Sequence, residues 1–286
     1  MEEYFSQSNL RSCEFCFSST FNWRNVYGAA IAEKDGCLVI RCSKPVMTYS
    51  YPVGLGNLKS AVDAIIADAQ KNGTAPIINC IPKEGVEKLE ALYPNKFDFV
   101  FSRDTCDYIY TTESLATLKG KKLHAKRNHI NNFKKANPDW VYENITPENL
   151  KDCWEMNVKW NELNAASDDT GLSSERRAVE NAFNFFEEEG LRGGLLRLSK
   201  DSPVIAYTMG RPLNSDTFIV HIEKAFHDIQ GAYPMINQQF VLNNCMDFAY
   251  INREDDAGAE NLRKAKLSYY PEILLEKYHA VPKEKP

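Results

Sequence analysis

No stretch of this 286-residue chain approaches the roughly 18 consecutive apolar residues that a membrane-crossing helix requires. The opening residues, Met1-Glu2-Glu3-Tyr4, offer neither a basic n-region nor an apolar h-region, so no secretory signal is expected. Neither G-x-G-x-x-G nor G-x-x-x-x-G-K-S/T occurs, which removes the two commonest glycine-rich phosphate cradles. A zinc-type ligand set is also missing: Cys13-x-x-Cys16 has no second C-x-x-C and no paired histidines to complete it. All eight cysteines are therefore expected to be reduced thiols packed as small apolar side chains, with no metal. There is no general basic excess either. Lys and Arg total 34 against 39 acids, for a net charge of −5 and an isoelectric point near 5.7. That excludes a generally basic nucleic-acid coat protein. The expectation is a cytoplasmic protein that is not integral to a membrane.

What is present supports folded cores. Hydrophobic residues make up 43% and aromatics 12%, enough apolar material to rule out wholesale disorder. The length suits two domains of about 150 residues each. In the second half, Trp140–Glu143 reads as a strand. Thr146-Pro147-Glu148 opens a helix with a hydroxyl cap, a proline at the first helical position and an acid at the positive dipole end. A second helix from Ser174 has the apolar face Val179, Ala182, Phe183 and Phe186. Strands are then expected at Gly194–Leu198, Val204–Met209 and Thr217–Lys224, followed by a helix over Pro234–Asn244. A strand at Phe248–Asn252, a helix at Ala259–Leu267 and one last strand over Glu272–His279 complete the order. The first half carries a shorter version of these parts. They are a hairpin of Leu38–Ile40 and Val46–Tyr49, a helix over Leu58–Ala69, a strand at Pro76–Cys80, a helix at Lys83–Leu92, and strands at Phe97–Phe101 and Tyr108–Tyr110. Hairpins followed by β-α-β units predict a mixed sheet in an α/β fold, with domains over residues 1–137 and 138–286.

The sharpest compositional feature lies between the halves. Lys119–Lys135 carries seven basic residues (Lys119, Lys121, Lys122, Lys126, Arg127, Lys134 and Lys135) and no acid. Those +7 charges, set against a whole-chain net of −5, leave −12 for the remainder. Leu123, Ile130 and Phe133 can anchor one side of a helix, leaving a positive ridge on the other. An RNA backbone, anionic lipid headgroups or a cofactor phosphate are its natural partners; an ordinary solvated helix face is the plain alternative.

Strand Thr217–Lys224 reads T-F-I-V-H-I-E-K. A period of two places His221 and Glu223 on one face and Val220, Ile222 and Lys224 on the other. Glutamate is rarely buried without a partner, so Glu223 is either a structural ion-pair member or a base that acts with His221. Asn252-Arg253-Glu254-Asp255-Asp256 follows another strand directly, where open α/β sheets bind ligands; the acids also suit a helix N-terminus for dipole reasons alone. Gly231 leads into a helix, the arrangement that offers amides to a pyrophosphate. Here, however, Asp228, Tyr233 and Pro234 supply charge repulsion, bulk and a missing N–H. Tight coenzyme A binding is therefore not expected.

Three phrases carry a resemblance. Gly120-Lys-Lys with Lys126-Arg-Asn128 and Phe133, His221-Ile-Glu-Lys-Ala225, and Asn252-Arg-Glu-Asp-Asp-Ala-Gly258 with Leu262-Arg-Lys-Ala-Lys266-Leu-Ser-Tyr269 resemble the C-terminal domain family of phosphatidylglycerol lysyltransferases. The likeness spans roughly Phe15 to Tyr278 and is greatest to its stand-alone members. It implies two tandem GNAT-like acyltransferase domains, the second holding the site, and a relation to Fem-type enzymes that transfer amino acids from aminoacyl-tRNA. On that basis the expected activity is transfer of an acyl or aminoacyl group to an amine or hydroxyl of a small-molecule or peptide acceptor. Glu223 would be base or orienter, His221 its support and Tyr250 a proton donor. Lys224, Tyr233, Asn252, Arg253, Glu254, Asp255, Asp256 and Lys266 would line the substrate pocket. Lys121, Lys122, Lys126, Arg127, Lys134 and Lys135 would hold a polyanion such as tRNA. Aminoacyl-tRNA is expected as donor ahead of coenzyme A. A coenzyme A-dependent N-acyltransferase and a non-catalytic RNA- or anion-binding protein are the alternatives.

Overall fold

The computed structural model describes residues 1–164 and 170–283, and these form two compact units. The first unit comprises Met1–Asp107, Asp255–Glu260 and the segment from Leu274. Its helices are α1 (Glu2–Ser8), α2 (Phe17–Tyr27), α3 (Leu58–Lys71) and α4 (Lys83–Leu92). Its strands are β1 (Ala30–Lys34), β2 (Cys37–Cys42), β3 (Thr48–Ser50), β4 (Ile78–Ile81), β5 (Phe97–Phe101) and β13 (Tyr278–Pro282), in the order β1-β2-β3-β4-β13-β5. The second unit comprises Tyr108–Glu254 and Asn261–Ile273. Its helices are α5 (Thr112–Thr117), α6 (His124–Ala136), α7 (Leu150–Leu163), α8 (Thr170–Asn184) and α9 (Ala232–Asn244); α10 (Glu260–Leu267) joins them from its second residue on. Its sheet runs β12 (Ile273–Leu275), β6 (Asp107–Thr111), β11 (Tyr250–Asn252), β10 (Thr217–Ala225), β9 (Val204–Pro212), β8 (Arg192–Arg197) and β7 (Val141–Asn144).

Each sheet is mixed, as expected, and for the same reason. In the first, β3 and β4 are parallel, joined through α3. In the second, β10 and β11 are parallel, joined through α9. A parallel pair needs a helical crossover, whereas the neighbouring strands connect by hairpins and run antiparallel. Apolar spacing decides the cores. Ala61, Val62, Ile65 and Ala69 of α3 are buried on the first sheet. Asn57 caps that helix, accepting the Ser60 amide at 3.1 Å. The second sheet is covered on both faces. Phe218, Val220, Phe240 and Phe133 belong to one cluster, with α5, α6 and α9. Ile222, Tyr207, Phe183 and Met156 belong to the other, with α7 and α8.

Three expectations differ from what is found. The division at residue 137 falls inside the second unit, because β6 from the first half pairs with β11 and α6 packs on α9. The last strand is two strands. β12 lies at the edge of the second sheet, and β13 lies between β4 and β5 of the first. The strict alternation along β10 is broken by an irregularity in its pairing with β9 between Val220 and Ile222. Val220 and Ile222 therefore enter opposite clusters instead of sharing a face.

Gly231 is the N-cap of α9 with φ +85°, and a Cβ there would lie 2.4 Å from the His129 carbonyl oxygen of α6. Both the left-handed backbone and the close approach require glycine. Gly231→Ala is expected to cost about 2 kcal/mol or more, read as a lower urea midpoint with an unchanged slope.

Candidate functional site

β10 and β11 pair only over Thr217–Ile219 and Tyr250–Asn252. Beyond that, β10 continues to Ala225 while β11 ends and the chain turns at Arg253–Glu254. The turn has a local cause. Asn252 Oδ1 accepts the Glu254 amide at 2.6 Å, and Glu254 adopts φ +58°, so an Asx-type turn redirects the backbone. Arg253 and Glu254 thereby face the open stretch of β10. Glu223 Oε1 accepts from Arg253 Nη2 at 2.7 Å, and its Oε2 accepts from Asn237 Nδ2 of α9 at 2.8 Å. His221 Nδ1 lies 2.7 Å from Glu254 Oε1. Two residues of β10 thus meet two successive residues of the turn.

Aromatic rings wall this centre. The Arg253 guanidinium lies 5.0 Å from the Tyr269 ring centroid and 5.7 Å from that of Tyr110. Lys126 of α6 places its Nζ 4.1 Å over Tyr269. Tyr110 donates to the Lys266 carbonyl at 2.7 Å, and Lys266 Nζ donates to the Arg253 carbonyl at 2.6 Å, which fixes the turn from behind. Burial works against the Arg253 charge, but Glu223 and the two tyrosines outweigh it and hold the guanidinium above its ordinary range. Burial, aided by Arg253, pulls the Lys126 ammonium below its usual range, while Glu223 opposes. Burial also pushes the Tyr269 phenol upward.

Several expected site residues fall elsewhere. Tyr250 pairs with Thr217 at the start of β10, so six residues of strand, about 20 Å, separate its level from Glu223. It cannot donate a proton there. Lys224 points to the other side of the sheet, 3.1 Å from Glu175 and 4.2 Å from the Trp160 ring centroid. Asp255 and Asp256 belong to the first unit, where Asp255 lies 3.8 Å from Lys277 and buried Asp256 lies 3.6 Å from Arg103. Tyr233 sits one turn before Asn237 on α9, its ring tilted at 41° to that of His227 with centroids 5.2 Å apart.

The basic helix is not one ridge. Lys126 turns inward on Tyr269, Lys122 lies 5.3 Å from the Tyr270 centroid, and Lys134 lies 5.5 Å from that of Trp140. Arg127 donates to the Leu118 and Gly120 carbonyls and so braces the loop before α6. Lys121, His124, Arg127 and Gly120 line a hollow of about 360 Å³. Lys121 and Lys135 are exposed.

Sequence reasoning missed Asn237 and the tyrosines Tyr110 and Tyr269. Asn237 did carry a signal: an amide on the buried side of a helix, four residues after Tyr233. The tyrosines read as ordinary core. A second polar centre, in the first unit, was missed as well. Lys277 is 1% exposed, with its Nζ 2.7 Å from Glu14 and 2.8 Å from Asp107. Cys13, Glu14 and Asp107 offer three ligand atoms within 4.8 Å of one another, and the Lys277 ammonium sits among them. All eight cysteines are free thiols.

Two mixed sheets, with a buried polar centre where the parallel pair of the second one parts, make this a mixed α/β protein. Within that class, the chain belongs to the family described as phosphatidylglycerol lysyltransferase, C-terminal, whose model matches residues 5–281. A conserved protein of unknown function from Bacteroides thetaiotaomicron is 41% identical, with a TM-score of 0.93 over 99% of this chain and 95% of that one. The structure of L-PGS from Bacillus licheniformis shares the fold at 14% identity and a TM-score of 0.62, covering 90% of this chain and 85% of that one. FemX does so at 11% identity and a TM-score of 0.61, covering 97% and 94%. An uncharacterised protein of Mycoplasmoides gallisepticum is 25% identical over 68% of this chain, which spans 66% of that relative's length. Among the described residues, no helix is long and apolar enough to cross a membrane.

Proposed function

We propose that this chain transfers an amino acid from aminoacyl-tRNA to an amine or hydroxyl acceptor at the Glu223–Arg253 centre. The observation that carries the reading is the parting of β10 from β11 beside that ion pair. Backbone groups of β10 freed from pairing can polarise a donor carbonyl, and such preorganised dipoles are the largest single source of catalysis in acyl transfer. Glu223, with both oxygens engaged, orients Arg253 and Asn237 around the reacting groups, while Lys126 and Tyr269 close the side facing α6. Family membership supports an aminoacyl donor. A coenzyme A donor fits less well, because the α9 N-terminus that would cradle its pyrophosphate packs against the His129 carbonyl of α6. The test is single-turnover transfer from tRNA charged with labelled amino acids to amine and hydroxyl acceptors, with acetyl-coenzyme A in parallel. Transfer from acetyl-coenzyme A alone would overturn the reading.

The tRNA would lie on the outward residues, Lys121, Lys134 and Lys135. Replacing these three by Glu is expected to weaken RNA binding and flatten its salt dependence, since each lost phosphate contact removes about 0.7–0.9 from the log–log slope. Stability should barely change, because exposed charges contribute about 0–1 kcal/mol. Unchanged affinity and slope would remove the helix from the RNA surface. Arg127 is unsuitable for this test, because its loss also frees the Leu118–Gly120 loop.

A further inference from the structure

Cys13 lies between a cation and a carboxylate. Its sulfur accepts from Lys277 Nζ at 3.6 Å and donates to Asp107 Oδ1 at 3.2 Å. Lys277 Nζ in turn lies 2.7 Å from Glu14 and 2.8 Å from Asp107. All four residues belong to the first unit. Cys13 and Glu14 come from the segment between α1 and α2, Asp107 opens β6, and Lys277 stands directly before β13. Other thiols are packed differently. Burial pushes the Cys106, Cys153 and Cys245 thiols up, the behaviour of inert core cysteines. Cys13 is half-buried, within reach of a small oxidant. The Lys277 side chain is 1% exposed and held against that sulfur. A partly exposed sulfur beside a cation is the setting in which cysteines react with peroxides.

We infer that Cys13 and Lys277 are a modification site, joined by a sulfur–nitrogen bond, a sulfenamide, when the protein meets hydrogen peroxide. In the first step Cys13 Sγ attacks one peroxide oxygen and the O–O bond breaks. Sulfur is oxidised by two electrons to the sulfenic acid, the peroxide is reduced, and the thiol proton leaves with the second oxygen as water. In the second step Lys277 Nζ attacks Sγ, forming the S–N bond and breaking the S–O bond. The ammonium must first release a proton, and Glu14 and Asp107 are both within hydrogen-bond distance to take it. A second proton of the nitrogen leaves with the departing hydroxide as water. The nitrogen ends neutral, and the proton kept by the carboxylate balances the charge. Sulfenic acids condense with adjacent nitrogen in this way, and holding the two atoms close together replaces a chance encounter. The bond joins positions 264 apart. It fastens the N-terminal segment to the strand that lies between β4 and β5 of the first sheet. The transferase reading plays no part in it.

The experiment treats the full chain with a graded series of hydrogen peroxide and reads thiol count, intact mass and peptide map under denaturing, non-reducing conditions. The expected product has one thiol fewer than the eight of the untreated chain and a mass lower by two hydrogens. Its map contains a cross-linked peptide that holds Cys13 and Lys277, and dithiothreitol reverses all three changes. Cys80, hydrogen-bonded to Glu14, is the competing partner. A Cys13–Cys80 disulfide lowers the mass equally but removes two thiols, and that result overturns the inference. A mass raised by oxygens with no cross-link, the mark of oxidation that stops at the sulfur, overturns it too, as does an unchanged Cys13 at every dose. Cys13→Ser keeps a hydroxyl for Asp107 and should lose the cross-link. Lys277→Arg keeps the charge without the amine and should yield the oxygen-bearing form instead. If that variant does not fold, the wild-type map decides by itself.

Discussion

Lys277→Met is expected to destabilise the first unit by about 3–5 kcal/mol, the usual cost of removing one partner from a buried ion pair. The reason is what stays behind. Asp107 is 0% exposed and would keep the Cys13 amide at 2.7 Å but lose its cation, and Glu14 would lose the same partner. Converting Asp107 to Leu in the Lys277→Met background should recover part of the loss, since apolar replacement of both partners is often neutral. The pH dependence has a definite sign. Burial alone would lower the Lys277 pKa, but Asp107, Cys13, Glu14 and Asp255 raise it well above its ordinary value. Its stabilisation is fully present below the unfolded value and is lost as pH rises through the folded one. Glu14 behaves oppositely. Burial would raise it, but the charge and hydrogen bond of Lys277 bring it below the carboxylate range, so its contribution is present above the unfolded value and lost on acidification. In the variant, the unpaired carboxylates protonate more readily, so the gap from wild type should narrow as pH falls. Urea unfolding at acidic, neutral and alkaline pH tests this. A gap that is constant or widens on acidification would show that Lys277 does not act through its charge.

Glu223→Gln is expected to lower aminoacyl transfer by about a hundredfold, the loss that a misplacement of about 1 Å of the reacting groups can cause. The substitution preserves shape and can keep the Asn237 contact, but it leaves Arg253 without its carboxylate. Two nearby cations would then repel across Tyr269, and Arg253 would lose the contact that fixes its guanidinium. A loss of about 3–5 kcal/mol of stability is expected as well, so rates must be measured well below the melting temperature. The pH profile separates two roles for Glu223. A positioning carboxylate gives a variant slow at every pH with the wild-type profile shape. A base gives a variant whose acidic limb disappears. Because both oxygens already accept hydrogen bonds from Arg253 and Asn237, the first outcome is expected. Glu223→Asp should rescue little, since the shorter side chain cannot reach both partners. An unchanged transfer rate would remove the Glu223–Arg253 pair from the reaction.

Local pattern alone was enough for the elements with strong periodicity. The helix at Lys83–Leu92 and the strand at Phe97–Phe101 coincide with α4 and β5, because the apolar spacing and the flanking Pro82, Pro94 and Asn95 point the same way. The mixed α/β class followed from the order of hairpins and crossovers, which connection length dictates. Glu223, His221 and Arg253 were legible as a polar set because charged residues on an otherwise apolar strand and at its neighbour's end have few structural reasons to be there.

What sequence could not decide lies in long-range pairing. Glu272–His279 looks like one strand, yet its ends serve different sheets, since nothing local says which edge a short strand will join. Tyr250 and Glu223 both lie on strands of one pair, but only the register shows that they sit at opposite ends. The irregularity at Val220–Ile222 changes which face each side chain takes, and alternation cannot foresee an inserted residue. Lys277, in the polar run Glu276-Lys277-Tyr278, reads as solvent-facing until three distant carboxylates surround it. The types of residue and their periods are chosen one segment at a time, and the sequence by itself determined those. The partners that turn an ordinary arginine or lysine into a buried, charge-bearing centre arrive from 22 to 263 positions away in the chain, and only the tertiary structure brings them together.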